Sequence, residues 1–337
     1  MSDGPSAPSA SPASSSTTDD QPKPSATAQP KPSESSPIIC PGHSRPVPDI
    51  AFTSVTADGY FLISACLDNK AMLRDGSTGD WIGTFIGHKG AVWCARLDAK
   101  AVKAVTGAAD FSAKVWDALT GDELLSLPHR HIVKSVTFDS GGERVMTGGQ
   151  EKKVRVWDLA AVDQPLLTME GHTQSVAQCI SLANEPQLVL TAAGEPDVRV
   201  WDMRTGTCVS RISTNGAAVR GAQLSIDGTT LTVCTATKQV LFFAATTAAF
   251  TPQHSLTLPV QTDCVSYSPS TRLLVTGAES ELWARVWRYE GGEEVGVYKG
   301  HHGPVRAVCF APDGQAFASG SEDGTIRIWQ QPGGAGK

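Results

Sequence analysis

A Trp-Asp pair, or a worn copy of one, recurs every 41 to 44 residues along this chain, with a Gly-His pair ahead of it in most copies. The Trp-Asp slot is filled in turn by Arg74-Asp75, Trp116-Asp117, Trp157-Asp158, Trp201-Asp202, Phe243-Ala244, Trp287-Arg288 and Trp329-Gln330. The Gly-His slot holds Gly42-His43, Gly87-His88, Pro128-His129, Gly171-His172 and Gly300-His301, and has decayed near Asn215 and Pro259. A period of this length marks supersecondary units that bury their apolar faces only by stacking on copies of themselves.

Residues 87–117 show what one unit contains. Between Gly87-His88 and Trp116-Asp117 lie three short apolar runs, AVWCARL, AVKAVTG and AKVWD, bounded by Gly, Asp or Lys. Each is too short and too rich in Val, Ala, Thr and Trp for a helix, and reads as a β-strand between tight turns. This is the WD-repeat signature, one four-stranded blade of a β-propeller. Five clear copies and two worn ones predict an all-β fold, a seven-bladed propeller over residues 37–331.

The last copy ends at Ile328-Trp329 after only three strands, and an open ring would expose two unpaired sheet edges. Ile38, Ile39 and Cys40 form an apolar run where an outermost strand belongs. Residues 37–41 are therefore expected to pair with the strand around Thr325–Trp329, closing the ring from both termini. Residues 1–36 are Ser, Pro, Ala, Thr and Gln with scattered charge and almost no large apolar residue to offset ordering entropy. They read as a disordered tail; 332–337 read as a flexible end. Ser11-Pro12 and Ser36-Pro37 in that tail fit proline-directed kinases or an inert solubilising segment.

A formal charge of −6 supplies no bulk basic field for nucleic acid, so any RNA contact needs a local patch. No apolar run of about 18 residues is present to span a membrane, and the amino terminus lacks a basic start followed by an apolar stretch. The eight cysteines form no C-x-x-C pair, and histidines do not gather beside them at zinc spacing. Cys94, Cys179, Cys264 and Cys309 fall in similar places on the first strand of their units, as small buried apolar residues. No metal and no cofactor is expected.

Six positions before the Trp slot stand Asp68, Asp110, Glu151, Glu195, Thr237, Glu281 and Asp323. A hydroxyl recurs at Ser64, Thr106, Thr147, Thr191, Thr276 and Ser319. With the Gly-His histidine these make an acid–His–hydroxyl–Trp network. His88, Thr106, Asp110 and Trp116 form one complete set, and His301, Ser319, Asp323 and Trp329 another. Ser, His and Asp also compose catalytic triads, but catalysis uses one such set in a cleft, whereas this one repeats in register. It reads as an internal hydrogen-bond framework, and no phosphate-cradling glycine motif accompanies it. The chain is not expected to be an enzyme.

Function then falls to variable positions on the rims. Residues just after each Gly-His, and just past the next Val or Ile, point to the top face around the central channel. Here they are Arg45, Lys89, Trp93, Arg130, His131, Lys134, Arg220, His302 and Arg306. Such a basic ring with one aromatic suits acidic peptides, phosphate or single-stranded RNA. Ordinary solvated charges, with Trp93 packed between blades, account for the same residues.

Particular stretches go beyond the generic repeat. Residues 59–93, with Arg74 in the Trp slot and the GDWIGTF segment, residues 108–138, with HRHIVKSV, and residues 300–329 closely resemble the serine/threonine-kinase-receptor-associated (Unr-interacting) protein family. The likeness covers 37–330 and fades through repeats four to six; the long tail departs from the family pattern, and the acidic carboxy-terminal extension of animal members is missing. The resemblance implies a non-catalytic scaffold, cytoplasmic and also nuclear. Family members join the survival-of-motor-neuron complex, with Gemin and Sm proteins and an Unr-like RNA-binding protein as partners, RNA being reached indirectly. Animal members also engage the type I receptor kinase and inhibitory Smad proteins, damping transforming-growth-factor-β signalling. The i subunit of translation initiation factor 3 is similar at GHKGAVWCARLD and GHHGPV, but ends in a Phe/Glu-rich tail where this chain ends QQPGGAGK. A direct single-stranded-RNA-binding propeller is the reading from another class.

Overall fold

A computed structural model describes residues 36–246 and 249–331. The readings of residues 1–35 as a disordered tail and of 332–337 as a flexible end, with the Ser11-Pro12 site, lie outside the described residues.

Among the described residues all regular structure is strand, arranged as seven four-stranded antiparallel sheets. The innermost strands are Asp49–Phe52, Val92–Leu97, Val133–Phe138, Gln178–Ser181, Val219–Leu224, Cys264–Ser268 and Val305–Phe310. Each is followed outward by the next strands in chain order, so six blades are four-strand meanders. The seventh takes its outermost strand from the other end of the chain. Ile38 pairs with Ile328, Ile39 with Arg327 and Cys40 with Ile326, as the incomplete last repeat requires.

That seam is held by more than the ladder. Arg74, standing where other blades carry Trp, is buried and donates from Nη1 to the Gly79 carbonyl at 3.1 Å and from Nη2 to the Pro41 carbonyl. Gly79 has φ +76, and a Cβ there would lie 2.8 Å from the Cys40 sulfur. The turn of the first blade thus presses on the closing strand at a point where only glycine fits.

Blades meet face to face through apolar clusters. In the second blade, Trp116 packs against Phe85 of the first with ring centroids 5.7 Å apart. Around the channel, side chains of one innermost strand accept from backbone amides of the next. Asp49 takes the Ala95 amide at 3.1 Å, Ser135 the Cys179 amide at 2.7 Å, Gln178 the Ala222 amide at 2.6 Å and Ser266 the Phe310 amide at 3.0 Å. Each such bond satisfies a buried donor and fixes the pitch between neighbouring blades.

Where the repeat is worn, the packing changes. Phe243 fills the Trp slot of the fifth blade, and Thr235 bonds Thr237 at 3.0 Å in place of a histidine set. Aromatics hold this blade to the sixth: Phe242 contacts Tyr267 at 5.3 Å and Tyr289 at 4.9 Å, and His254 lies 4.7 Å from Tyr289.

All eight cysteines are free. The four expected in equivalent places all lie on innermost strands, but only Cys94 and Cys264 share a register, opposite Gly107 and Gly277. Cys179 pairs with Thr191 and Cys309 with Ala318, so their positions along the strand differ. No helix among the described residues is long and apolar enough to cross a membrane.

Candidate functional site

Two groups of polar residues compete for a role, the repeated histidine sets and the top rim of the channel. The indole of Trp116 can only donate, and it donates to Thr106 Oγ1 at 2.8 Å. The threonine proton is then free for His88 Nε2, 2.7 Å away. His88 Nδ1 in turn donates to Asp110 at 2.8 Å, and the same carboxylate accepts the Lys89 amide at 2.9 Å. The relay repeats in the seventh blade through Trp329, Ser319, His301 and Asp323 at 2.8, 2.7 and 3.1 Å. The fourth blade has it too, through Trp201, Thr191, His172 and Glu195.

Other blades carry parts of it. His43 reaches Ser64 and Asp68 at 2.9 and 3.2 Å, but Arg74 has turned away to the seam. In the third blade His129 Nε2 holds Thr147, while Nδ1 donates to the Leu127 carbonyl and Glu151 pairs with Arg155 instead. The sixth blade keeps only the Trp287–Thr276 bond.

Electrostatics follow from this burial. Desolvation pushes His43, His129, His172 and His301 below the ordinary imidazole range, His129 to about 4. Burial alone would raise Asp323, but the His302 amide, Thr325 and His301 outweigh it and hold the carboxyl down to about 2. Asp110 is held down likewise against its burial by His88, Ser112 and the Lys89 amide. Thr106 and Ser319 are fully buried, so no reactant reaches these hydroxyls without unfolding a blade. His43, Cys66 and Asp68 come close enough together to ligate a metal, but burial raises the Cys66 thiol to about 12 and Asp68 already serves His43. The donor set therefore fits the hydrogen-bond framework better than a cation.

The top rim surrounds a central cavity of about 480 Å³. Of the nine residues assigned there from the sequence, Trp93, Lys134, Arg220 and Arg306 line the cavity. Arg45, Lys89, Arg130, His131 and His302 are exposed outside its lining, on the loops of their blades. The ring is not uniformly basic. Arg306 pairs with Glu279 and Glu322, and Arg220 lies 3.9 Å from Asp263. Lower in the channel Arg96 is bound to Asp49 at 2.5 Å. Glu279, Asp263 and Asp49 come from the neighbouring blade in each case, so counting along one repeat does not reveal them, whereas Glu322 belongs to the same blade as Arg306.

Trp93 is half-buried, with Lys134 Nζ 5.2 Å from its ring centroid. Phe111 was missed in the sequence. It is exposed, packs against His131 with ring centroids 5.5 Å apart and has φ +66. The signal was there: Asp110-Phe111-Ser112 occupies the tight turn that the first and seventh blades make with Asp68-Asn69-Lys70 and Asp323-Gly324-Thr325. A bulky residue in an Asn or Gly position is a local misfit with an outward-facing side chain.

The family model described as WD domain, G-beta repeat matches residues 79–117, 121–158, 163–202 and 292–330. A protein of Dictyostelium discoideum named serine-threonine kinase receptor-associated protein is 43% identical over 294 residues, covering 87% of this chain and 98% of that protein. The protein of the same name from Homo sapiens is 44% identical over 294 residues, covering 87% and 82%. Eukaryotic translation initiation factor 3 subunit I of Culex quinquefasciatus is 26% identical over 318 residues, covering 87% and 95%.

Proposed function

Because the chain belongs to the serine-threonine kinase receptor-associated protein family of WD-repeat propellers, we propose that it is a non-catalytic scaffold of the survival-of-motor-neuron complex. In that role it holds Gemin and Sm-type proteins, with an Unr-like RNA-binding protein, during cytoplasmic assembly of spliceosomal small nuclear ribonucleoproteins. It reaches RNA through these partners and accompanies them into the nucleus. In an animal it also damps transforming-growth-factor-β signalling through the receptor kinase and inhibitory Smad proteins.

One observation supports the scaffold reading above the others. In the second, fourth and seventh blades the Ser, Thr, His and acidic residues are spent inside the histidine sets, where Thr106, Thr191 and Ser319 are fully buried. What remains for partners is the rims, and rims of a rigid disc suit recruitment rather than chemistry. The test is affinity purification from the native cell with identification of what co-purifies. Gemin and Sm proteins are expected. Initiation factor 3 subunits in their place, or neither set, would overturn the assignment.

A further inference from the structure

The top rim is electrically divided, and the division selects a kind of partner. On the second and third blades, Lys89, Arg130, Lys134 and Lys152 make no ion pair with any described residue. The nearby carboxylates are already engaged. Asp110 accepts from His88 and the Lys89 amide, and Glu151 from Arg155 and the Arg130 amide. The two blades carrying these groups are joined at the rim, where Phe111 packs against His131 and Lys134 lies over Trp93. Counting Arg155 and Lys153, six cations face three carboxylates there, Arg155 being paired with Glu151 and Lys153 with Glu170.

Across the channel mouth the balance reverses. Arg220 and Arg306 stand among Asp263, Glu279 and Glu322, and Glu279 is more than half exposed. Trp93, Lys134, Asp263 and Glu279 line the same cavity, so both sides of the mouth are open to a single ligand.

We infer that the channel mouth docks an extended peptide segment of a partner protein that is acidic at one end and basic at the other. The acidic end lies over the second and third blades, against Lys89, Arg130, Lys134 and Lys152, with Phe111 and Trp93 supplying apolar contact. The basic end lies over Asp263 and Glu279. Charge complementarity of this kind sets orientation and selects among partners. Single-stranded RNA is the poorer fit, since a uniformly anionic backbone gains from one half of the rim and is repelled by the other. The inference rests on the scaffold reading and says which surface that scaffold uses.

The test measures binding to the purified full chain by fluorescence anisotropy at low salt. The probes are a peptide with a glutamate run followed by a lysine run, a peptide of the same composition with the charges interleaved, an all-glutamate peptide and an oligouridine. The block peptide is expected to bind best. Lys89→Glu with Arg130→Glu should weaken it by at least about tenfold. Glu279→Lys should weaken the block peptide while improving the all-glutamate one. All three positions are exposed or rim residues, and unchanged melting temperatures certify the fold. Equal binding of block and interleaved peptides, tighter binding of oligouridine, or indifference to the charge reversals would overturn the inference. Co-purification of Gemin and Sm proteins with the wild-type chain is scored separately. Its failure sinks the assembly role whatever the peptides do, and failure of the peptides sinks the docking surface even where co-purification succeeds.

Discussion

Cys94 and Gly107 face each other across the two innermost strands of the second blade, and a Cβ built on the glycine would sit 2.7 Å from the cysteine sulfur. The sixth blade repeats this with Cys264 and Gly277 at 2.8 Å. In the fifth blade the partners are exchanged, Gly221 standing opposite Cys234. One sulfur's volume is therefore shared by the pair, and either strand can supply it. Val133 and Val305 of the following blades close the same space, so the pairs also set how near the next blade comes.

Gly107→Ala should destabilise by about 1–3 kcal/mol, since the added methyl meets both the Cys94 sulfur and Val133. Cys94→Ala removes the sulfur, so the double variant should recover part of the loss. Chemical unfolding of the wild type, both singles and the double gives the coupling. Simple additivity of the two changes would show that the residues do not share a volume.

Arg74 ties the closing strand to the first blade through the Pro41 and Gly79 carbonyls, with no carboxylate partner among the described residues. Arg74→Ala should cost about 2–4 kcal/mol, from two lost charge-assisted bonds and the packing of the arginine stem. Removing residues 1–41 should cost more, because it also uncovers Ile326 and Ile328. Amide hydrogen exchange reads the mechanism: Arg74→Ala should speed exchange at Ile38–Cys40 well before the other blades. Unchanged protection there would remove Arg74 from the seam.

The ring was legible because its determinants are local and repeat. The seven Trp slots, the Asp-Gly turns and the missing last strand each lie within one period, and the Ile38–Cys40 pairing follows from counting strands. Partner choice inside the blades was less so. Glu151 meets Arg155 on the adjacent strand and leaves His129 to the Leu127 carbonyl, whereas Glu195 holds both Arg199 and His172, so residue type alone does not tell the two apart. The rim charges were least legible. Arg306 finds Glu279 from 27 residues away and Arg96 finds Asp49 from 47, across blade boundaries that no single repeat encodes.

Acid should loosen the ring through its histidines. His129 has a folded pKa of about 4, below the ordinary value of about 6.5, so folding favours its neutral form. The stability it adds is whole above about pH 6.5 and is lost as pH falls toward 4, roughly 3 kcal/mol for this one group. His43, His172 and His301 are shifted the same way and act in the same direction. Glu151, Glu195 and Asp323, held at about 2, extend the loss from about pH 4.5 downward. Unfolding free energy measured from pH 7.5 to 4.5 should fall steadily, and His129→Gln should flatten the slope by about one proton. A flat profile for the wild type, or an unaltered slope in the variant, would contradict this account.

Lys152 is where stability and the rim pull apart. Its φ is +60, in the left-handed region, at the turn position that the first blade gives to Asn69 and the seventh to Gly324. A lysine there costs about 1 kcal/mol in steric strain that asparagine largely escapes through its short polar side chain. Lys152→Asn should therefore raise the unfolding free energy by about 0.5–1 kcal/mol, since the lysine makes no ion pair with a described residue. The same change removes one of the four unpaired cations of the second and third blades. If that patch receives an acidic segment, the stabilised variant should bind the block peptide several-fold more weakly and with a shallower salt dependence. A variant that gains stability and binds as well as wild type would show that the strain at this turn serves nothing on the rim.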